Sequence, residues 1–254
     1  MAPSSTAPHE PPASGGPANV VHQSSRLLFT VFGAVYDALT DHPLWAAQNA
    51  ALLDHCGPLA DDARVLDVGC GTGIGTMAVA KRLSPAATVV GVDLTEAMVA
   101  RARAIHARDG AALPNVSFAQ ADASAMPQQP TAHFDVVLAN SFLYLVPRKD
   151  LVLRELHRVL KHGGRVVMME PRADGSWKRA ALRSVPHHLS TLSTQASSSA
   201  RLGASMTAWR VMSGAAGRLS KDQMRELFEA AGFVDVAFAD TLGGLGVHVV
   251  ASKG

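Results

Sequence analysis

The sequence predicts a doubly wound α/β fold with a mostly parallel, seven-stranded sheet. From residue 64 onward, short apolar segments alternate with helical patterns, which is typical of a parallel sheet covered by helices on both faces. Three alternating glycines, Gly69, Gly71 and Gly73, follow the first apolar segment directly, as in ligand-binding turns at the carboxyl ends of strands. The last two apolar segments flank a glycine-rich turn at 243–246, which predicts a closing antiparallel hairpin.

The predicted elements follow in order along the chain. Each predicted strand is a short apolar run, and the seven runs span 64–68, 88–92, 116–121, 134–139, 165–170, 234–239 and 247–252. Helical patterns span 74–83, 95–108, 148–161 and 221–232. Thr95 is suited to cap the second of these helices, and Ser220-x-x-Gln223 is a capping box for the last. The pair Gly163-Gly164 is expected to end the helix before it.

Two stretches fall outside this alternation. Residues 1–20, rich in proline, serine and alanine, predict a disordered tail. Residues 21–60 are apolar and aromatic and predict a helical cap on a single domain over 21–254. Residues 172–218 are too long for a simple connection. They predict an inserted lid or substrate-binding segment, helical in its first half and of low complexity over 193–205.

Composition limits the function. Lys and Arg number 23 against 21 Asp and Glu, a formal net charge of +2, so no global charge draws the chain toward nucleic acid. Two cysteines, Cys56 and Cys70, cannot form a disulfide framework, which favours a reducing, cytoplasmic location. No apolar run reaches the roughly 18 residues that span a bilayer, and we predict no metal site.

The spacing of the glycines narrows the ligand. Dinucleotide sites use G-x-G-x-x-G, whereas Gly69, Gly71, Gly73 and Gly75 give G-x-G-x-G-x-G, and no G-K-[ST] sequence follows. A pyrophosphate ligand and a nicotinamide oxidoreductase are therefore disfavoured. Asp67, two residues before the first glycine, favours instead a ligand with a cationic end.

Polar residues also end the next three strands. Asp93 lies twenty residues after Gly73, where an acidic residue can accept hydrogen bonds from a ribose. Asp122 ends the third strand and can accept from the amine of an adenine, while Asn140 and Ser141 end the fourth. Singly, an aspartate at a strand end is more often a helix cap or a turn residue. Four consecutive strands with such groups predict one shared site.

These residues carry a resemblance to a known family. The sequence Val-Leu-Asp-Val-Gly-Cys-Gly-Thr-Gly at 65–73, with Asp93, Asp122 and Phe-Asp-Val-Val at 134–137, resembles the class I S-adenosylmethionine-dependent methyltransferases over roughly 36–253. The resemblance implies their Rossmann-like methyltransferase fold and S-adenosylmethionine as cofactor.

Within that family, residues 32–45 are similar to the N-terminus of the ubiquinone/menaquinone biosynthesis methyltransferases. With the complete cofactor set and the long lid, this favours methyl transfer to an apolar or aromatic small molecule. A quinone precursor, a phenolic natural product and a lipid are the acceptor classes that we expect.

Carried over residue by residue, the resemblance also implies a cofactor site. Its members are Asp67, Gly69, Gly71, Gly73, Asp93, Leu94, Asp122, Ala123, Asn140 and Tyr36. Among them, Asp93 would bind both ribose hydroxyls, and Asp122 and Ala123 would meet the adenine. Asn140 would lie below the methionyl group, and Tyr36 would close over the cofactor.

The catalytic residue is the least defined part of the site. Methyl transfer from a sulfonium is an in-line displacement that depends mainly on orientation, and a base is needed only if the acceptor must lose a proton. The candidates are His187, His188, Tyr36, Tyr144 and Glu170. Histidine has a suitable ordinary pKa, although most of the eleven histidines are expected on the surface. Glu170 is equally typical of a buried structural carboxylate.

Alternative functions stay open. A nucleic-acid methyltransferase acting on exocyclic amines would carry Asn/Asp-Pro-Pro-aromatic after the fourth strand, where this chain has Asn-Ser-Phe-Leu at 140–143. A non-methylating S-adenosylmethionine-binding protein would share the same fold. The basic, partly aromatic residues of the lid suit peripheral contact with a membrane or an anionic acceptor, a solvated helix face being the commoner interpretation. They are Trp177, Lys178, Arg179 and Arg183.

Overall fold

The structure, a computed structural model, describes residues 43–109, 113–176 and 196–254, with the backbone alone for residues 43 and 196–202. The predicted tail, most of the predicted cap and the first half of the predicted lid lie outside the described residues. So do several candidate residues, namely Tyr36, Trp177, Lys178, Arg179, Arg183, His187 and His188.

A single seven-stranded sheet forms the centre of the described chain. Its strands are β1 (Arg64–Val68), β2 (Thr88–Asp93), β3 (Val116–Gln120), β4 (Phe134–Asn140), β5 (Leu160–Pro171), β6 (Phe233–Thr241) and β7 (Gly246–Lys253). They are ordered β3-β2-β1-β4-β5-β7-β6. Only β7 runs against its neighbours β5 and β6, while the other pairs are parallel. The predicted doubly wound sheet with a C-terminal hairpin is confirmed.

Helices cover both faces of this sheet. They are α1 (Pro43–Ala51), α2 (Ile74–Ala80), α3 (Glu96–Asp109), α4 (Lys149–Val159), α5 (Ala196–Ala216) and α6 (Lys221–Ala230). Buried side chains of α4 and α6, including Leu156 and Phe228, pack on one face. Those of α2 and α3, including Met77 and Val99, pack on the other. Because both faces are apolar, the central strands are near-continuous apolar runs, which is why the sequence pattern located them well.

The order of the strands places a crevice at the ends of β1 and β4. The chain leaves β1 toward β2 and β3 on one side and then returns to β4 on the other. In open α/β sheets, ligands bind beyond the carboxyl ends of the strands at this point of reversal. The glycine turn after β1 and the polar residues after β4 therefore face the same opening.

The prediction for Gly163-Gly164 is wrong. Helix α4 ends at Val159, and both glycines lie inside β5, which begins at Leu160. The β4–β5 register shifts between Phe134 and Val136, and Gly163 has a φ of +73°. A Cβ at Gly164 would lie 2.9–3.0 Å from the carbonyl oxygens of Lys161 and Asp135. The glycines thus form an irregularity within the strand instead of a helix stop.

The serine-rich, low-complexity stretch 193–205 is helical where the structure describes it. Residues 196–205 belong to α5, a 21-residue helix. Of its four buried residues with described side chains, Ser205, Trp209 and Ser213 recur every four residues and form one face, and Arg210 lies beside them. Two of those three are serines, so the helix has a buried face without an apolar pattern. The capping box at Ser220 forms at the start of α6 as predicted.

A histidine pair connects β7 to the 3₁₀ turn before β1. His248 is 6% exposed, and its Nδ1 lies 2.7 Å from Nε2 of His55, in the 3₁₀ turn Leu52–His55. Burial, together with the charge of nearby His55, lowers the pKa of His248 to about 4. The folded protein therefore holds this imidazole neutral at pH values where the unfolded chain protonates it.

This pair gives a pH-dependent stability. Between the unfolded pKa, about 6.5, and the folded value, about 4, the unfolded chain binds more protons. The free energy of unfolding should therefore fall as the pH drops through this window, by up to about 3 kcal/mol from this group. Urea titrations at pH 4.5 and 7 should show a smaller pH-dependent difference for His248→Asn than for the wild type. Equal differences would contradict the assignment.

Candidate functional site

The glycine turn is fixed to the end of β2. The backbone N–H groups of Gly69 and Cys70 both donate to the carbonyl of Val92, at 2.8 and 3.0 Å. Gly69 and Gly71 have left-handed φ values of +72° and +53°, which glycine adopts without strain.

Gly69 and Gly73 have no room for a side chain, whereas Gly71 borders open space. A Cβ at Gly69 would come within 2.7 Å of the ring of Phe142, and one at Gly73 within 2.6 Å of Phe118. A Cβ at Gly71 would meet no described protein atom within 4 Å. The outer two glycines are therefore needed by the packing of the protein, whereas the middle one borders open space in which a ligand can approach the backbone.

Asp93 is oriented by three hydrogen bonds. Its Oδ2 accepts from Gly71 N–H at 3.1 Å, and its Oδ1 accepts from the backbone and hydroxyl of Thr95, both at 3.0 Å. Thr95 precedes α3 as predicted, but its hydroxyl serves Asp93. Since a carboxylate offers about four acceptor positions, Asp93 keeps capacity for a ligand hydroxyl.

The first cleft lies between the ends of β1, β2 and β3 and contains about 880 Å³ of empty space, part of it open to solvent. It is lined by seven of the ten predicted cofactor residues, namely Gly69, Gly71, Asp93, Leu94, Asp122, Ala123 and Asn140. Met98, Leu145, Val146 and Val152 give it apolar walls. Asp122 accepts at Oδ1 from the backbone and hydroxyl of Ser124, at 2.9 and 2.7 Å, which fixes this carboxylate at the rim.

A second cleft, of about 640 Å³ with part again open to solvent, lies between α1, α5 and the glycine turn. Trp45 and Trp209 form one side of it, with their ring centroids 5.6 Å apart and tilted by 54°. Asn49, one helical turn after Trp45, also lines it. The two clefts share Gly69, Gly71, Asn140 and Ser141, so they meet at the ends of β1 and β4.

Two buried amide oxygens at these clefts have no hydrogen-bond partner among the described residues. They are Oδ1 of Asn140, at the junction, and Oδ1 of Asn49, in the second cleft. A buried acceptor without a partner costs about 1–3 kcal/mol. Native proteins leave few such groups, and these two lie where a bound molecule could supply donors.

Asp67 lies below the turn instead of in a cleft. Its side chain is 3% exposed, it lines neither cleft, and its Oδ2 accepts from the Thr76 hydroxyl at 2.6 Å. Burial raises its pKa to about 6. This geometry links β1 to α2 and offers a ligand no direct contact with the carboxylate.

Glu170 is a buried carboxylate that holds the chain after β4. It is 1% exposed and accepts from the backbone N–H groups of Phe142, Leu143 and Tyr144 at 3.0, 2.8 and 3.2 Å. Burial raises its pKa to about 7, against the effect of these donors. Neither Glu170 nor Tyr144 lines a cleft, so the structure places both candidate catalytic residues behind the wall of the site.

Three residues of the site did not follow from the sequence. Trp45 and Asn49 lie on one face of α1 because they are four residues apart, and Trp209 comes from α5. Nothing in their local spacing distinguishes them from core residues.

Across 43–109, 113–176 and 196–254, no group of three or more His, Cys, Asp or Glu could hold a metal ion. No helix in those ranges has the length and apolar content to cross a membrane.

Comparison with known proteins identifies a family and several relatives that this chain resembles. Residues 59–232 match the family described as methyltransferase domain. The chain is 34% identical over 158 residues to a ubiquinone/menaquinone biosynthesis C-methyltransferase of Idiomarina loihiensis, covering 59% of this chain and 61% of that protein. It is 33% identical over 149 residues to a demethylmenaquinone methyltransferase of Lactococcus lactis, covering 56% of each.

The solved structures agree on the fold. A S-adenosylmethionine-dependent methyltransferase from Aquifex aeolicus matches with a TM-score of 0.59 at 19% identity, over 81% of this chain and 89% of that one. The matched region spans 56–61% of the length of the two curated relatives.

Proposed function

This chain belongs to the class I S-adenosylmethionine-dependent methyltransferase family, and on that premise we propose that it methylates an apolar or aromatic small molecule. The observation that carries the proposal is the junction of the two clefts. One cleft has the polar groups that suit an adenosine, the other has an aromatic wall, and they meet at the glycine turn, Asn140 and Ser141.

The residues present fit the cofactor of the family. Asp93 and Asp122 line the first cleft as hydrogen-bond acceptors, suited to a ribose and to an adenine amine. The open space beside Gly71 allows close approach of a ligand to the backbone. When bound, S-adenosylmethionine supplies a methyl group that its positively charged sulfur already activates for displacement. The protein then has to hold both partners in line and exclude water, and orientation of this kind can contribute about 7–11 kcal/mol.

We assign the cationic methionine end of the cofactor to Asn140. Its Oδ1 is buried at the junction without a described partner, and an ammonium group has three donors and no acceptor. Asp67 was the sequence-based candidate for this contact, but its carboxylate lies below the turn and accepts from Thr76. Asp67 would therefore act indirectly, by fixing the turn.

The aromatic wall supports an aromatic acceptor over a lipid. Trp45 and Trp209 present rigid rings to the second cleft, and such rings pack well on other planar groups. The two relatives are named for quinone biosynthesis and for a demethylmenaquinone substrate, which agrees with a quinone precursor or a phenol. Tyr36, His187 and His188 stay candidates for closing the site or removing a proton. Peripheral membrane contact and a cytoplasmic location also stay predictions.

Charge argues against the nucleic-acid alternative. Among the described residues that line the two clefts, none is Lys or Arg, whereas a bound nucleic acid requires cations against its phosphates. The non-methylating alternative differs only in its reaction, so it needs an activity measurement.

Release of S-adenosylhomocysteine tests the proposal. The full chain is incubated with S-adenosylmethionine and, in separate reactions, 1,4-naphthoquinol, 2-naphthol or a short RNA. We expect release with at least one aromatic probe, above the level of an Asp93→Ala control, and none with RNA. Release with RNA alone would favour the nucleic-acid alternative. Tight binding of S-adenosylhomocysteine without turnover of any probe would favour the non-methylating one.

A further inference from the structure

The second cleft has a surface that can select its ligand. Its indole N–H groups are already used, because Trp45 Nε1 donates to Ser205 Oγ and Trp209 Nε1 donates to Ser141 Oγ, both at 2.8 Å. The two rings are thereby fixed and turn only their carbon faces and edges to the cleft. This side of the cleft offers a ligand apolar contact and no hydrogen-bond donor.

Asn49 supplies the polar contact that the tryptophans lack. It follows Trp45 by four residues on α1, so the amide lies beside the indole on the same helix face. Its Oδ1 is buried with no partner among the described residues. A Cβ at Gly75 would overlap Nδ2 of Asn49, which shows that the amide packs closely against α2 and is held in place there.

The two amide oxygens without a described partner, Oδ1 of Asn140 and Oδ1 of Asn49, face different parts of the site. Asn140 lines both clefts and so meets a ligand that passes from one to the other, whereas Asn49 lines the second cleft alone, with Trp45 and Trp209. An oxygen beside an aromatic wall, in the cleft that Asp93 and Asp122 do not line, faces the acceptor half of the site.

We propose that Asn49 Oδ1 accepts a hydrogen bond from an O–H or N–H group on a planar aromatic acceptor packed against Trp45 and Trp209. The inference rests on the proposed function and deepens it. The substrate class becomes hydroxylated or amino-substituted aromatics, and Asn49 becomes the residue that selects them. Aromatics whose oxygen is already alkylated leave Oδ1 without a donor and are disfavoured.

Equilibrium dialysis with a matched pair of probes tests this selection. The full chain is saturated with S-adenosylhomocysteine, and binding of 2-naphthol is compared with binding of 2-methoxynaphthalene. We expect the wild type to prefer 2-naphthol by at least about tenfold, the size of one hydrogen bond. Asn49→Leu should reduce that preference to less than threefold and leave the Kd for S-adenosylhomocysteine within twofold.

A second variant keeps the test valid if Asn49→Leu folds poorly. Gly75→Ala adds a methyl group where Nδ2 of Asn49 lies, and so displaces the amide without removing it. Gly203→Ala is the matched control, since a Cβ there meets no described atom within 4 Å. We expect Gly75→Ala to lower the preference and Gly203→Ala to retain it.

Three results would overturn the inference. A preference that persists in Asn49→Leu would exclude Asn49 as the selecting residue. A tenfold loss of S-adenosylhomocysteine affinity in that variant would assign Asn49 to the cofactor. Equal binding of both probes by the wild type would remove the selection itself. If the wild type fails to bind S-adenosylhomocysteine at all, the proposed function fails first, and this distinguishes the two failures.

Discussion

Asp93→Ala is expected to weaken the binding of S-adenosylhomocysteine by about 100-fold or more. The carboxylate accepts from Gly71 and Thr95 and lines the first cleft. Its removal takes away the charged acceptor for the ribose, where each such hydrogen bond is worth about 1.5–3 kcal/mol. The same substitution releases Gly71 N–H and loosens the turn. Titration calorimetry with the full chain measures the loss.

The Asp93→Ala measurement needs a control substitution at a carboxylate that is remote from the cleft. Asp109 is exposed at the end of α3 and pairs with Arg108, so Asp109→Ala should bind S-adenosylhomocysteine within twofold of the wild type. Asp93→Asn keeps one oxygen acceptor and should lie between the two. An Asp93→Ala variant that binds as tightly as the wild type would show that the first cleft is not the ribose site.

Glu170→Leu should lower the free energy of unfolding by at least about 3 kcal/mol. Three backbone N–H groups, those of Phe142, Leu143 and Tyr144, lose their acceptor in a buried turn, and each unsatisfied buried donor costs about 1–3 kcal/mol. Glu170→Gln keeps one carbonyl oxygen and should lose less. Urea denaturation monitored by circular dichroism gives both values.

A Glu→Leu substitution on the surface is the control for the stability measured with Glu170→Leu. Glu226 is exposed on α6, and Glu226→Leu should change the stability by less than about 0.5 kcal/mol. The two possible roles of Glu170 then separate. A Glu170→Leu protein of wild-type stability that binds the cofactor but fails to turn over would indicate a proton-transfer role and contradict the structural one.

The sheet was predictable because its signal is local. The central strands are mostly apolar and buried, so a short, largely apolar run such as Arg64–Val68 or Phe134–Asn140 identifies each of them directly. The glycine turn and the aspartates at the strand ends were predictable as well, because parallel topology brings the ends of neighbouring strands together.

The rest depended on contacts between distant segments. Helix α5 buries Ser205 and Ser213 beside Trp209, and small polar residues on an inner face give no hydrophobic period. Gly163-Gly164 accommodates an irregularity between β4 and β5, which only the pairing of the two strands determines. Asn49 could not be predicted for the same reason, because it packs against Gly75 on α2, a helix that follows 25 residues later in the chain.

Ser141 couples the two clefts and so affects any attempt to change which molecules they bind. It has a left-handed φ of +55°, donates its N–H to Met169 O at 2.7 Å, and accepts from the Trp209 indole. Ser141, which lines both clefts, is thus anchored by a side chain from the wall of the second cleft. Exchanging Trp209 to admit a bulkier substrate would free Ser141 as well. A library that varies specificity should therefore vary these two positions as a pair.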